Sequence, residues 1–212
     1  MAEEVQTLRL RADMTAVVNY AVQQNRLPVI REIAVENPSE RGESGLSLSL
    51  SSDPPVFHSL TLPVPDIPAG ETVVLRNVEP SMDHAMLSAL TERVTGAITF
   101  TLSRGEETAA SLEQPFTALA ISEWPGLSVY PELLAAFVLP NHPALAGVLA
   151  KAAELLGGWS GDPSLDSYQT KDPNRVKQQA AAIYGALQAE SLVYAAPPAS
   201  FGAVGQRVRL CG

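Results

Sequence analysis

Leu46-Ser47-Leu48-Ser49-Leu50-Ser51 alternates leucine with serine for six residues. Successive side chains of an extended chain point to opposite faces, so this run builds a strand with one greasy face and one wet face. The same period of two recurs on both sides of it. Ile33 and Val35 alternate with Glu32, Ala34 and Glu36; Leu60, Leu62 and Val64 alternate with Thr61 and Pro63; Ile98, Phe100 and Leu102 alternate with Thr99 and Thr101. Turn-forming clusters separate the runs, at Asn37-Pro38-Ser39-Glu40, Asp53-Pro54-Pro55, Pro68-Ala69-Gly70 and Arg104-Gly105-Glu106. No helix long enough for a parallel crossover lies between them.

These signals predict strands over 7–11, 15–22, 27–36, 46–51, 58–62, 72–78, 97–103, 108–112 and 116–121, with a short helix over Met82–Leu90. A mainly β fold follows, in which two sheets bury their apolar faces against each other: an immunoglobulin-like antiparallel β-sandwich over residues 1–123.

From Trp124-Pro125-Gly126 the period moves toward 3.6, so residues 124–212 are read as a helical segment with about three α-helices. Pro131 opens the first, which carries Leu134, Phe137 and Val138 and stops at Pro140. Pro143 opens the second, with a stripe of Leu145, Val148, Leu149, Ala152 and Leu156 and an exit at Gly157-Gly158. Asp172 caps the third, Pro173 takes its first position, and Val176, Ala180, Ile183, Tyr184 and Leu187 are expected on one side. Gln206-Arg207-Val208-Arg209-Leu210 reads as the start of a strand or turn with no later element to pair with. The chain therefore reads as the front piece of a longer polypeptide.

Composition narrows the chemistry. With 14 Lys and Arg against 23 Asp and Glu the net charge is −9, which disfavours nucleic acid as a partner. The acidic start Met1-Ala2-Glu3-Glu4 is no secretory leader, and no apolar run is long enough to span a bilayer, so a cytoplasmic protein without a membrane role is expected. Cys211 is the single cysteine and offers no disulfide. His58, His84 and His142 lack the close spacing of a metal site and are expected in a strand, a short helix and a proline-flanked turn. The glycines match neither a phosphate loop nor a dinucleotide fingerprint. Asp83-His84 as part of a triad and Cys211 as a nucleophile beside Arg207 and Arg209 are both weaker readings than structural roles. The expectation is no catalytic residue, no cofactor and no metal.

A basic cluster at Lys171, Arg175 and Lys177 is read as a solvated helix face ahead of a phosphate contact. The aromatic and proline groups after Trp124 serve either as helical core or as a docking surface. The interface candidates are Trp124, Tyr130, Phe137, Asn141, His142, Tyr168, Arg175, Tyr194, Pro197, Pro198, Phe201 and Arg207.

Leu133-Leu134-Ala135-Ala136-Phe137-Val138, Pro140-Asn141-His142-Pro143, Ser164-Leu165-Asp166-Ser167-Tyr168-Gln169, Asp172-Pro173-Asn174-Arg175-Val176, Ala182-Ile183-Tyr184, Pro197-Pro198-Ala199-Ser200-Phe201 and Gly205-Gln206-Arg207-Val208-Arg209-Leu210 occur in this order. The series resembles the N-terminal region of very large bacterial proteins that carry a domain of unknown function ahead of a superfamily 1 helicase, often with a nuclease-like C-terminus. Asn37 and Glu123-Trp124 also fit. The resemblance implies a bacterial protein linked to ATP-dependent nucleic-acid processing, with defence against phage as its setting. Residues 124–212 would begin a transglutaminase-like or cysteine-protease-like domain whose catalytic cysteine lies beyond Cys211. The chain itself would be a non-catalytic docking module that meets downstream domains of its parent or a protein partner. The alternative implied is the front part of a cysteine-dependent enzyme.

Overall fold

The leucine–serine run is the centre of strand β4 (Leu46–Asp53), whose leucines 46, 48 and 50 are 3%, 2% and 3% exposed. In the computed structural model, which describes residues 8–127, 129–190, 192–193 and 206–208, β4 lies in a five-stranded sheet. Its other strands are β2 (Val17–Val18), β5 (Leu60–Pro63), β7 (Val94–Arg104) and β8 (Glu107–Ala118), in the order β2-β8-β7-β4-β5. All neighbours are antiparallel except β2 and β8, which run parallel, so the sheet is mixed. The register sets Leu48 opposite Leu102 and Leu50 opposite Phe100, placing large side chains side by side on one face.

A three-stranded antiparallel sheet contains β1 (Arg9–Met14), β3 (Ile30–Glu36) and β6 (Thr72–Arg76), in the order β1-β3-β6. Ile33 and Val35 of β3 share one buried cluster with Leu46, Leu48, Leu50, Ile98, Phe100, Leu102 and Phe116 of the larger sheet. Each such side chain contributes about 1.5–3 kcal/mol on leaving water, so this common core holds the two sheets together. The solvent face of the small sheet is instead laced by Arg11–Glu36, Arg31–Asp13 and Arg76–Glu32 ion pairs. The fold is mainly β, as expected.

Several local expectations change. The segment read as a strand over 15–22 is only a two-residue strand followed by helix α1 (Tyr20–Gln24), because Asn19 caps it by accepting from Val22 N–H. The strands read over 108–112 and 116–121 are one strand, β8, running through Pro115. Pro115 is tolerated because β2 covers only Thr117 and Ala118 on that side of β8, leaving the missing N–H without a ladder to break. The helix expected over 82–90 is α2 (His84–Ala89), capped by Asp83.

The change of period at Trp124 marks a change of element rather than the edge of a core. Trp124 and Leu133 are both buried in the main cluster, Phe137 packs against it, and the Tyr130 hydroxyl donates to the carbonyl of Pro28. The first compact unit accordingly runs to Phe137, and residues 206–208 join it. Its last helical turn, Pro131–Phe137, is a 3-10 helix rather than an α-helix. The terminal motif finds a partner earlier in the chain: Gln206–Arg207 forms β10, antiparallel to β9 (Glu123–Trp124).

The second unit begins at Val138 and is built from α3 (Ala144–Ser160) and α4 (Pro173–Ala189). Helix α3 continues through Gly157-Gly158 and exits at Gly161, whose φ of 75° is left-handed. Asp172 caps α4 and Pro173 opens it, as expected. The buried face of α4 is not the stripe expected, however. Arg175, Gln179, Ala182 and Ala186 point inward, while Ala180 and Tyr184 lie in solvent. Among the described residues Ala152, Leu156, Ala182 and Ala186, three alanines and one leucine, form the buried centre of this helix pair.

Candidate functional site

Two polar clusters stand out, one in each unit. In the first, the Glu123 side chain is 5% exposed and its Oε1 accepts from Arg93 Nε at 2.7 Å and from Arg93 Nη2. The carboxylate beside it holds the Arg93 guanidinium above its ordinary pKa, through hydrogen bonding first and charge second. Among the described residues neither Glu123 Oε2 nor the neighbouring Trp124 Nε1, both buried, has a hydrogen-bond partner. The backbone around them is pinned from three sides. Asn19, fully buried, donates its Nδ2 to the Glu123 carbonyl at 2.7 Å; Val208 N–H donates to Ser122 O at 2.7 Å; and Arg207 Nη2 donates to Thr91 O at 2.8 Å. This arrangement locks β9 and β10 onto the β unit.

In the second unit Arg175 and Gln179, one turn apart on α4, organise the connection from α3. Arg175 Nη1 donates to Ser160 Oγ at 2.9 Å, and Nη2 donates to the carbonyls of Asp162 at 3.1 Å and Ser164 at 2.7 Å. The Asp162 carboxylate sits 3.0 Å from the same guanidinium. Gln179 accepts from Ser167 N–H at 2.8 Å and donates to the Asp166 carboxylate and to the Ser167 carbonyl. Arg175 is thus not on a solvated helix face: it is 8% exposed and spent on internal acceptors, which removes it as a phosphate contact.

The Asp162 carboxylate is held below its ordinary pKa by the Ser164 hydroxyl, then by the Ser164 N–H, with a smaller contribution from Arg175. A carboxylate depressed in the folded state stabilises the fold above its unfolded value, about 3.9, and that contribution is lost as pH falls through the lower folded value. The helical unit is expected to weaken on acidification below about pH 4, and Asp162→Asn to flatten that dependence. Far-UV circular dichroism during acid titration of both proteins checks it; identical acid midpoints would refute it.

The other candidates scatter. Trp124 and Arg207 are brought to adjacent strands. Tyr130 and Phe137 serve the β core. Asn141 is exposed, and His142 uses its Nδ1 to accept from Ala144 N–H at 3.3 Å, ahead of α3. Tyr168 is 75% exposed. Tyr194, Pro197, Pro198 and Phe201 lie outside the described residues, as does Cys211. Asp83 is occupied as a helix cap, and His84 packs on the Tyr20 ring and meets Gln24, so these two are not presented as triad members. His58 precedes β5 and is not in a strand. Asn37, 1% exposed, serves the turn after β3, donating to the Arg41 and Pro68 carbonyls and accepting from Ser39.

Sequence reading missed Arg93, Asn19 and Gln179. Their partners are 30, 104 and 12 residues away, at distances where no local spacing rule applies. Among the described residues no group of three or more His, Cys, Asp or Glu converges as metal ligands, and no helix is long and apolar enough to cross a membrane. No protein-family model and no curated protein matches the sequence.

Proposed function

We propose that this chain is a non-catalytic docking module whose contact surface lies on the helical unit that begins at Val138. The observation that carries the reading is the distribution of exposed large apolar side chains. Among the described residues most of them belong to the helical unit, between Val138 and Val193, including Leu149, Trp159, Tyr168 and Tyr184. Exposed aromatic and aliphatic groups concentrated in one region are what a protein-binding surface requires. In this reading the two sheets form an immunoglobulin-like sandwich that serves as the rigid base, and the module works in the cytoplasm. The ordered motifs that resemble large bacterial helicase-related proteins support downstream domains of such a parent as the partner, with phage defence as the setting.

Trp159 supplies the test. The chain has two tryptophans, and Trp124 is buried while Trp159 is 55% exposed. Trp124→Phe keeps an aromatic ring in the core and leaves Trp159 as the sole tryptophan of the chain. When tryptophan-free downstream domains of such a helicase-related parent are added, Trp159 emission is expected to move to the blue and acrylamide quenching to fall several-fold. Unchanged quenching would exclude docking at this surface.

The alternative, the front part of a cysteine-dependent enzyme, is favoured by one observation: Gln206 to Val208, part of the resembling motif, is held in a fixed place beside Trp124. That reading requires peptidase or transferase activity in the longer polypeptide, abolished when its first downstream cysteine is replaced.

A further inference from the structure

Strand β6 ends the small sheet, and among the described residues no strand pairs with its outer side. Its backbone phase follows from β3. The Asn37 N–H donates to the Glu71 carbonyl at 2.9 Å, so the alternation of an antiparallel ladder turns the N–H and C=O groups of Val73 and Leu75 toward β3 and those of Thr72, Val74 and Arg76 outward. The same three residues have exposed side chains, Val74 in the middle at 41%. A row of open backbone groups is a template for another strand, and the other edges of the two sheets are blunted against it. β2 is two residues long, β5 holds Pro63, and β1 has a break in register between Asp13 and Met14. β6 has neither proline nor lysine, and its ladder to β3 is regular.

We infer that this edge pairs with β6 of a second copy of the chain, antiparallel, about a two-fold axis through Val74. Antiparallel pairing keeps the core face of one sheet continuous with the core face of the other, whereas a two-fold axis along the strands turns one sheet over. The axis at Val74 brings outward-pointing residues together: Val74 meets Val74, and Thr72 meets Arg76 of the second copy, each as a hydrogen-bonded pair. An axis between two residues sets outward groups against inward ones, and an axis at Arg76 sets two guanidinium groups face to face. Charge agrees with the axis at Val74. Glu36 is the β3 neighbour of Thr72, so Arg76 of the second copy lies across Thr72 from Glu36, and no like charges stand opposite each other along the paired strands. The two exposed valines cover one another at the centre. The docking reading concerns the helical unit, so the two proposals stand or fall separately.

Sedimentation equilibrium at about 0.15 M salt, which screens the net charge of −9, tests the pairing with Val74→Lys and Val74→Glu. The wild type is expected to pass from monomer to dimer between micromolar and millimolar concentration. At a two-fold axis each variant meets its own charge, so each alone is expected to dimerise about tenfold more weakly. The equimolar mixture, which sets lysine against glutamate, is expected to recover the dimer. Circular dichroism checks that both variants fold. Amide exchange of the unaltered chain gives a second reading: protection of Thr72, Val74 and Arg76 should rise with concentration, while Val73 and Leu75 are protected throughout. A wild type that stays monomeric overturns the inference and leaves the edge to a strand of another protein. A dimer indifferent to both variants overturns it too, as does a mixture that fails to recover or exchange at the three outward amides that ignores concentration.

Discussion

Arg175→Met is expected to destabilise the helical unit by about 2–3 kcal/mol and to melt it separately from the sheets. The guanidinium satisfies the Ser160 hydroxyl and two loop carbonyls, those of Asp162 and Ser164, from an almost buried position. Methionine has similar reach and no donors, so those acceptors lose their partner while the packing volume stays. The Asp162 carboxylate is 56% exposed and can turn to water, which keeps the loss below that of a fully buried pair. The loss is large for this unit, since its buried apolar centre consists of two alanines on α4 against Ala152 and Leu156 on α3. Arg175→Lys should recover little, because one ammonium cannot address acceptors spread over residues 160 to 164. Native-state hydrogen exchange reads the outcome: protection of α3 and α4 amides should collapse while β4 and β7 remain protected. Unchanged protection in α4 would show that the loop holds itself.

How far these elements were legible in the sequence depended on whether one physical signal acted alone. β4 was legible because the Leu46–Ser51 alternation has a single interpretation, and the start of α4 because Asp172 and Pro173 are a cap and a first-turn residue at once. Thr15–Val22 misled, since Val17, Val18 and Val22 carry strand propensity while Asn19, a cap, starts a helix among them. The α4 face misled for a different reason. Periodicity finds the most apolar stripe, but α3 packs against the stripe that has alanines at its centre and polar groups for the loop. Arg175 and Gln179 could not be read as buried without knowing that residues 160 to 167 fold back over them. The candidate site was legible only in its end points: Glu123-Trp124 and Arg207 were singled out, but strand pairing across more than eighty residues leaves no local trace.

Removing Arg93 should cost more than removing Glu123, although the two residues form one ion pair. Arg93 is 43% exposed and Glu123 5%, so the arginine keeps contact with water when Glu123 loses its charge, whereas the glutamate has little water to turn to when Arg93 is removed. Arg93→Ala strands a buried carboxylate whose Oε2 has no partner among the described residues, and about 3 kcal/mol of destabilisation is expected. Glu123→Gln keeps the shape and removes the charge, at about 1 kcal/mol. The double variant should lie within about 2 kcal/mol of wild type, because the glutamine no longer demands a cation. Loosening at Glu123 reaches Trp124 directly, since Asn19 holds the Glu123 carbonyl and β10 pairs with both residues. Urea unfolding followed by Trp124 fluorescence, in a Trp159→Phe background, measures all four proteins with one probe at the site. If Arg93→Ala and Glu123→Gln shift the midpoint equally and their effects simply add, the buried carboxylate is satisfied by something other than Arg93 and the asymmetry argued from exposure is wrong. If the double variant is more stable than Arg93→Ala alone, the arginine is there to neutralise a charge that the β9–β10 junction has buried.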